Sequence, residues 1–239
     1  MSLFPQGHQS GMFIQAPTDV VADCLVAWGN EEMVDRSNLT AASTKLRLEQ
    51  AWEYVNERKA RPDRAVLIPI SGWTAYFDNQ KYEWLAGSEL FVLCERLRVN
   101  TCFFSYDDDP DTEHRGSAQF NHYRYRGSGD FPVIKRQVML LNESGWKFQQ
   151  WGDPLPFENV DGYAHRKKRD RLNPDVLRAY GEALGIPFWD PDAYGQNVVM
   201  LKWGHQPAGD TDSALKKIMK IFGRPKFVMG RDGIRRPPE

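Results

Sequence analysis

The sequence predicts an α+β protein built on a mixed, mainly antiparallel sheet with helices packed on one face. Three observations carry this expectation. Two Ser-Gly-Trp openings, Ser71-Gly72-Trp73 and Ser144-Gly145-Trp146, set a turn-forming pair directly before aromatic residues two or four apart. That is the pattern of a strand leaving a hairpin turn with one aromatic face buried. Three strand-like runs between residues 118 and 151 are separated only by turn signals, which reads as an antiparallel meander. The element order, strand-helix-helix-strand-strand-helix-strand before the meander, does not alternate strictly, so a doubly wound parallel sheet is not expected.

Met12–Gln15 is a short apolar strand, and Pro17 opens a helix with early acids that runs to Trp28 and ends at Gly29. Residues 30–40 are polar and read as a loop. Leu46, Ala51, Trp52 and Val55 fall on one stripe of a second helix that must stop before Pro62. Ala65–Ile70 is a strand with Gly72–Asp78 as its hairpin partner. The apolar run from Trp84 to Leu97 predicts a helix buried on most of its circumference, weakened at Gly87 by about 1 kcal/mol relative to Ala. Val99–Tyr106 is a β-rich strand that ends at Asp107.

The meander comprises Ala118–Tyr125, Val133–Leu141 and Trp146–Trp151, with Trp146 and Phe148 on one sheet face because they are two apart. Two helices follow, over Val160–Arg171 and Pro174–Leu184; the second has Asn173 as N-cap, Pro174 at the first helical position and Gly185 as stop. Beyond Ile186 glycine and proline crowd the chain. The expected division is a core domain over residues 1–190 and a C-terminal appendage over 191–239, with a strand at Val198–Trp203, a helix at Ser213–Phe222 and a basic tail.

Composition narrows the function classes. With 239 residues and 41% apolar content, the chain can bury a substantial core. No apolar run approaches the ~20 residues that cross a bilayer, and the first residues lack a basic and apolar leader, so a cytoplasmic protein without membrane contact is expected. Cys24, Cys94 and Cys102 are odd in number and widely spaced, the usage of reduced core thiols. Residues 1–160 hold 16 Lys+Arg against 22 Asp+Glu, a net of −6, and residues 161–239 hold 15 against 10, a net of +5.

The acidic run Asp107, Asp108, Asp109, Asp111 and Glu113 places five carboxylates in seven residues at the end of a strand. Such a cluster is solvated, docks a basic protein or holds a divalent ion. It lacks the alternating ligands, glycine and closing glutamate of an EF-hand. The five histidines are far apart, at no zinc-ligand spacing, and no phosphate-cradling or nucleophile-elbow motif occurs, so neither metal nor cofactor is expected. The cations Arg166, Lys167, Lys168, Arg169 and Arg171, with His122, Tyr123, Arg124, Tyr125 and Arg126, invite a nucleic-acid reading. The sequence pI of about 6.5 and the acidic larger part count against it. An enzyme of unrecognised class would draw on a cleft bordered by Asp78, Asn79 and His122.

The segments Gly72-Trp-Thr-Ala-Tyr-Phe-Asp-Asn79, Gly145-Trp-Lys-Phe148 and Gly152-Asp-Pro-Leu-Pro-Phe-Glu158, with Tyr163, Arg169-Asp-Arg-Leu172, Tyr180 and Leu184-Gly-Ile186, resemble a group of uncharacterised bacterial proteins. The resemblance covers roughly residues 12–190. Those proteins look like the immunity partners of polymorphic toxin systems, which bind a cognate toxin domain and neutralise it. The resemblance implies a protein partner and no catalytic residues. The expected contacts are the carboxylates Asp107, Asp108, Asp109, Asp111 and Glu113, with Trp73 or Tyr76 as an aromatic anchor.

Overall fold

The computed structural model describes residues 10–32, 39–56, 63–79, 88–107, 115–125, 133–142, 144–204, 228–229 and 235–236. In chain order the elements are β1 (Ser10–Ile14), α1 (Thr18–Glu32), β2 (Thr40–Lys45), α2 (Leu48–Val55), β3 (Arg64–Ile70), β4 (Trp73–Asp78), α3 (Ser88–Leu97) and β5 (Thr101–Tyr106). The meander β6 (Ala118–Arg124), β7 (Val133–Asn142) and β8 (Trp146–Trp151) follows, then α4 (Pro174–Leu184) and β9 (Asn197–Lys202). Two-residue strands β10 (Val228–Met229) and β11 (Arg235–Arg236) pair with each other. The first nine strands form one sheet in the order β2-β9-β3-β4-β1-β5-β6-β7-β8.

The α+β class and the antiparallel meander are as expected, and every described pairing in the large sheet is antiparallel. The helices, however, line both faces rather than one. Alternation along the strands explains this. In β1, Met12 and Ile14 point to one side and Phe13 to the other; in β3, Leu67 and Val66 divide in the same way. One cluster joins Met12, Ile14, Leu67 and Tyr76 to Val21 and Leu25 of α1 and Leu90 and Leu93 of α3. The other joins Phe13, Val66, Phe77, Phe104 and Phe120 to Trp52 of α2, Leu177 and Tyr180 of α4, and Phe188. Strands apolar on both sides need cover on both sides.

Both Ser-Gly turns take positive φ at two consecutive residues, 46° and 82° at Ser71 and Gly72, 50° and 123° at Ser144 and Gly145. That geometry matches the twist of the strands they join. Asn173 caps α4 by accepting the Asp175 and Val176 N–H groups, both at 3.0 Å, and Gly185 ends it at φ 72°.

Three further expectations change. Val160–Arg171 is not a helix but two short 3-10 turns, Val160–Ala164 and Lys168–Asp170. Arg166–Arg169 are exposed and Tyr163 is the only buried side chain of the two turns, so no apolar stripe exists to hold a helix. Thr40, the last residue of the expected loop, and residues 41–45, to which the sequence reading gives no element, form β2. The strand expected in a C-terminal appendage is instead seated inside the sheet, with Asn197–Lys202 paired to β2 on one side and Val199–Lys202 to β3 on the other. Its Val198, Val199 and Leu201 are buried on alternating faces, which only an interior strand achieves. The helix expected at Ser213–Phe222 lies outside the described residues.

Candidate partner surface and the buried polar network

The most developed polar constellation lies beneath the segment that closes over β7 and β8. Arg136 occupies an inward position in β7, on the same side as Val138 and Leu140. Its Nε donates to both carboxylate oxygens of Glu158 at 2.9 and 3.0 Å, and Nη2 donates to Oε2 at 2.7 Å. The remaining donors reach Gly152 O at 2.7 Å through Nη1 and Gln150 Oε1 at 2.8 Å through Nη2. Glu158 also accepts the Leu155 N–H at 2.9 Å and the Tyr163 hydroxyl at 2.6 Å, and Tyr163 in turn accepts from Tyr180. Burial, with the bonds to Glu158 and Tyr180, holds the Tyr163 phenol far above its ordinary range; Tyr180 is pushed up to about 12, chiefly by burial.

This arrangement is structural in character. The guanidinium directs its donors at carboxylate, carbonyl and amide oxygens, and the carboxylate takes donors at both oxygens, so the pair is saturated by the chain itself. It ties β7, the turn at Gly152, the 3-10 turn at Tyr163 and α4 into one unit. The motif Gly152–Glu158 with Tyr163 and Tyr180 is thus explained as fold-forming. Arg136 was missed in the sequence. Its signal was an arginine at the inward parity of Val138 and Leu140, which requires a buried carboxylate.

Asp78 and His122 do not share a cleft. They stand on β4 and β6, three strand spacings or about 14 Å apart across the sheet and three residues apart along it. Asp78 faces α1 and α3, where the Tyr76 hydroxyl donates to it at 3.4 Å, whereas His122 has the parity of Phe120 on the opposite face. Asn79 is buried: its Oδ1 accepts the Asp63 and Arg64 N–H groups at 3.0 and 3.1 Å, and Nδ2 donates to Asp63 Oδ1 at 2.8 Å. It closes the hairpin. His122 is 7% exposed, its Nδ1 has no hydrogen-bond partner among the described residues, and burial, Lys135 and Arg124 depress its pKa to about 4.

Neither expected aromatic anchor is a surface residue. Tyr76 is 1% exposed in the core between the sheet and α1, and Trp73, 7% exposed, packs in the opposite cluster with only its rim toward a cleft. Of the acidic run, Asp107 is half-buried at the end of β5, where its N–H donates to Ser117 O at 2.9 Å; Asp108, Asp109, Asp111 and Glu113 lie outside the described residues. His122 and Tyr123 are buried, so β6 presents no row of aromatics and cations for bases to stack on. Arg166–Arg169 are exposed; Lys168 Nζ donates to Trp146 O at 2.9 Å, and Arg171 lies over the Phe148 ring at 5.5 Å.

The surface the sequence did not reveal is a half of the sheet that no described helix covers. On the α1 and α3 side, packing extends as far as Tyr123 of β6 and Ile134 at the start of β7. Beyond it Met139 and Leu141 of β7 and Trp151 of β8 are half-buried, share the same face and belong to neither core cluster. The register sets Met139 between Gln119 and Gln149, Leu141 beside Lys147, and Trp151 beside Gln137. The result is a flat apolar patch framed by amides. No alternation rule distinguishes it from the covered half, because only the placement of α3 decides where cover ends.

A second concavity, a cleft of about 830 Å³, opens at the far side of the sheet. Its walls are the start of α1, Ser43–Lys45 of β2, the Ser71–Trp73 turn and Asn197–Val199. Among the described residues no group of three or more His, Cys, Asp or Glu is placed to hold a metal ion, and no helix is long and apolar enough to cross a membrane. No family model, curated protein or solved structure matches the chain.

Proposed function

We propose that the chain is a cytoplasmic binding protein of the immunity type, which neutralises a cognate toxin domain by occluding it through the face of β6, β7 and β8 that no described helix covers. The observation that carries this reading is the patch of Met139, Leu141 and Trp151, three large apolar side chains on one flat face with no packing role in either core cluster. Apolar patches framed by polar groups mark interaction surfaces. The connection bearing Asp107, Asp108, Asp109, Asp111 and Glu113 leaves β5 and returns at Arg115, at the sheet end that carries Leu141 and Lys147. Asp107 is the described member of that run, and a cluster of carboxylates in this part of the chain favours a basic partner, because clustered charge steers encounter while apolar contact holds the complex. The resemblance of Gly72–Asn79 and Gly152–Glu158 to immunity-like proteins supports the choice of a toxin domain as that partner.

The test is binding kinetics against a toxin domain encoded beside this chain, at low and physiological salt. Replacing Asp107, Asp108, Asp109, Asp111 and Glu113 by Asn or Gln is expected to slow association and flatten its salt dependence. Replacing Leu141 and Met139 by Lys is expected to speed dissociation. Rates unchanged by both sets would remove this face from the interface.

A further inference from the structure

The large sheet has two edges, and they are finished differently. At β8 the ammonium of Lys168 donates to the Trp146 carbonyl, and the 3-10 turn Lys168–Asp170 lies against the strand. At β2 nothing comparable exists among the described residues. Five of its six residues are exposed, and Thr44 is half-buried. It pairs with β9 along its whole length without a bulge.

The ladder shows which backbone groups remain open. Leu46 N–H donates to Gln196 O at 3.0 Å, so Leu46 and Gln196 are a hydrogen-bonded pair one step beyond Lys45 and Asn197. Such pairs alternate in an antiparallel ladder. Thr44, Ala42 and Thr40 therefore direct their backbone groups at β9, and Ala41, Ser43 and Lys45 direct theirs outward. The strand Thr-Ala-Ala-Ser-Thr-Lys has no proline, bulge or inward charge, the devices that normally blunt an edge, and its one charged residue is the last.

Two further observations define what this edge fits. Ser43, Thr44 and Lys45 also form one wall of the 830 Å³ cleft, whose floor includes Trp73 and Val198. A strand laid on β2 would thus bring a side chain over an apolar recess. In addition, β2, β9 and β3 carry the cations Lys45, Lys202 and Arg64 and no carboxylate, with Lys45 at the cleft and Lys202 and Arg64 at the other end of the ladder; the cleft wall from α1 adds Asp19.

We propose that β2 is a docking edge that takes an extended, acidic segment of another polypeptide by strand addition, with one large apolar side chain of that segment seated in the cleft beside Trp73. Main-chain hydrogen bonds to Ala41, Ser43 and Lys45 supply affinity, and the apolar recess beside Lys45, with Lys202 toward the other end of the edge, supplies selectivity. A second copy of this chain is the poorer occupant. Its β2 offers only Thr, Ala, Ser and Lys, so nothing would fill the cleft, and two sets of cations would be brought together. This surface is separate from the one on β6–β8, so either can fail alone.

The probe is a fluorescein-labelled peptide of sequence Glu-Val-Glu-Val-Thr-Trp, titrated with the full chain at low salt and read by anisotropy. Saturable binding is expected, weakened about tenfold or more when the second Val is replaced by Pro, which removes a main-chain donor from the peptide, or when both Glu are replaced by Lys. Ser43→Pro is expected to weaken it to a similar degree while leaving the melting temperature unchanged, because the Ser43 N–H takes no part in the β9 ladder. Asn197→Trp, which narrows the cleft, should also weaken it. The proline-containing peptide tests the same hydrogen bonds on the unaltered protein if Ser43→Pro does not fold. Absence of saturation at about 1 mM peptide, or equal binding of the proline and lysine peptides, overturns the proposal. Sedimentation of the wild-type chain as a dimer that Ser43→Pro dissolves would give the edge to a second copy and overturn it as well.

Discussion

Arg136 and Glu158 form an ion pair with side chains 1% and 0% exposed, the guanidinium Nη2 lying 2.7 Å from the carboxylate Oε2. Two charges withdrawn from water are stable only because every remaining donor and acceptor is directed at a partner, and the pair holds β7, the 152–163 segment and α4 together.

Removing either partner should be costly, and removing both much less so. Arg136→Met or Glu158→Leu alone should lose about 3–5 kcal/mol, because each strands a buried charge. The double replacement should lose well under the sum. Urea unfolding of the three variants checks this, and additive losses would mean that the pair is not coupled.

Tyr163→Phe removes the hydroxyl that donates to Glu158 and accepts from Tyr180. About 1–3 kcal/mol of stability should be lost, since the Tyr180 hydroxyl is left without its acceptor in a buried site. Tyr180→Phe in the same background should then cost little more. Thermal unfolding of the single and double variants provides the comparison.

Gly152 is required by its surroundings. Its φ is +79°, and a Cβ there would stand 2.1 Å from the Lys135 carbonyl oxygen. Gly152→Ala should destabilise by about 3 kcal/mol or more, as backbone must move to admit the methyl group. Gly72→Ala, at φ +82° but with nothing within 4 Å, should cost distinctly less. Equal losses at the two sites would place the cost in conformation alone.

His122 gives the protein an acid-side weakness. Its native pKa is depressed to about 4 by burial, with Lys135 and Arg124 adding repulsion, and Arg136 stands directly across the ladder. The unfolded chain binds a proton near pH 6.5, the native one only near pH 4. Stability from this group is complete above pH 6.5 and is lost as pH falls through that window, by up to about 3 kcal/mol. His122→Phe should flatten the fall in stability between pH 6.5 and 4; an unchanged slope would assign it to other groups.

The uncovered face should be separable from the core by mutation. Leu141→Lys and Met139→Lys should change stability by less than about 1 kcal/mol, because these side chains pack against no cluster. Phe120→Ala, with Phe120 fully buried between Phe104 and Tyr180, should cost about 3–5 kcal/mol. Similar losses at both places would show that β7 is covered after all.

Much of the fold was legible in the chain. The Ser71-Gly72 and Ser144-Gly145 turns, the Asn173 cap, the Gly185 stop and the strands of the meander stand where local chemistry puts them. The candidate surface was far less legible. Trp73 and Tyr76 read equally as anchors or as core, since an aromatic side chain is suited to both, and only the packing of α1, α2 and the 190s segment over β4 decides for the core. Met139, Leu141 and Trp151 raised the reverse problem, reading as ordinary alternating strand residues.

The sequence by itself determined what depends on near neighbours: turn geometry, helix ends, strand periodicity and the α+β class follow from backbone preferences and side-chain spacing within a few residues. Tertiary structure alone decided the rest. β2 carries no apolar pattern and is a strand only because β9 offers it a ladder, since a strand's stability resides in its neighbours rather than in its own residues. β9 entered the sheet between β2 and β3 from more than 120 residues away in sequence, and Arg136 met Glu158 because the chain folded back after β8. Which face no described helix covers was set by where α3 ends its packing, a matter of three-dimensional placement that no one-dimensional pattern records.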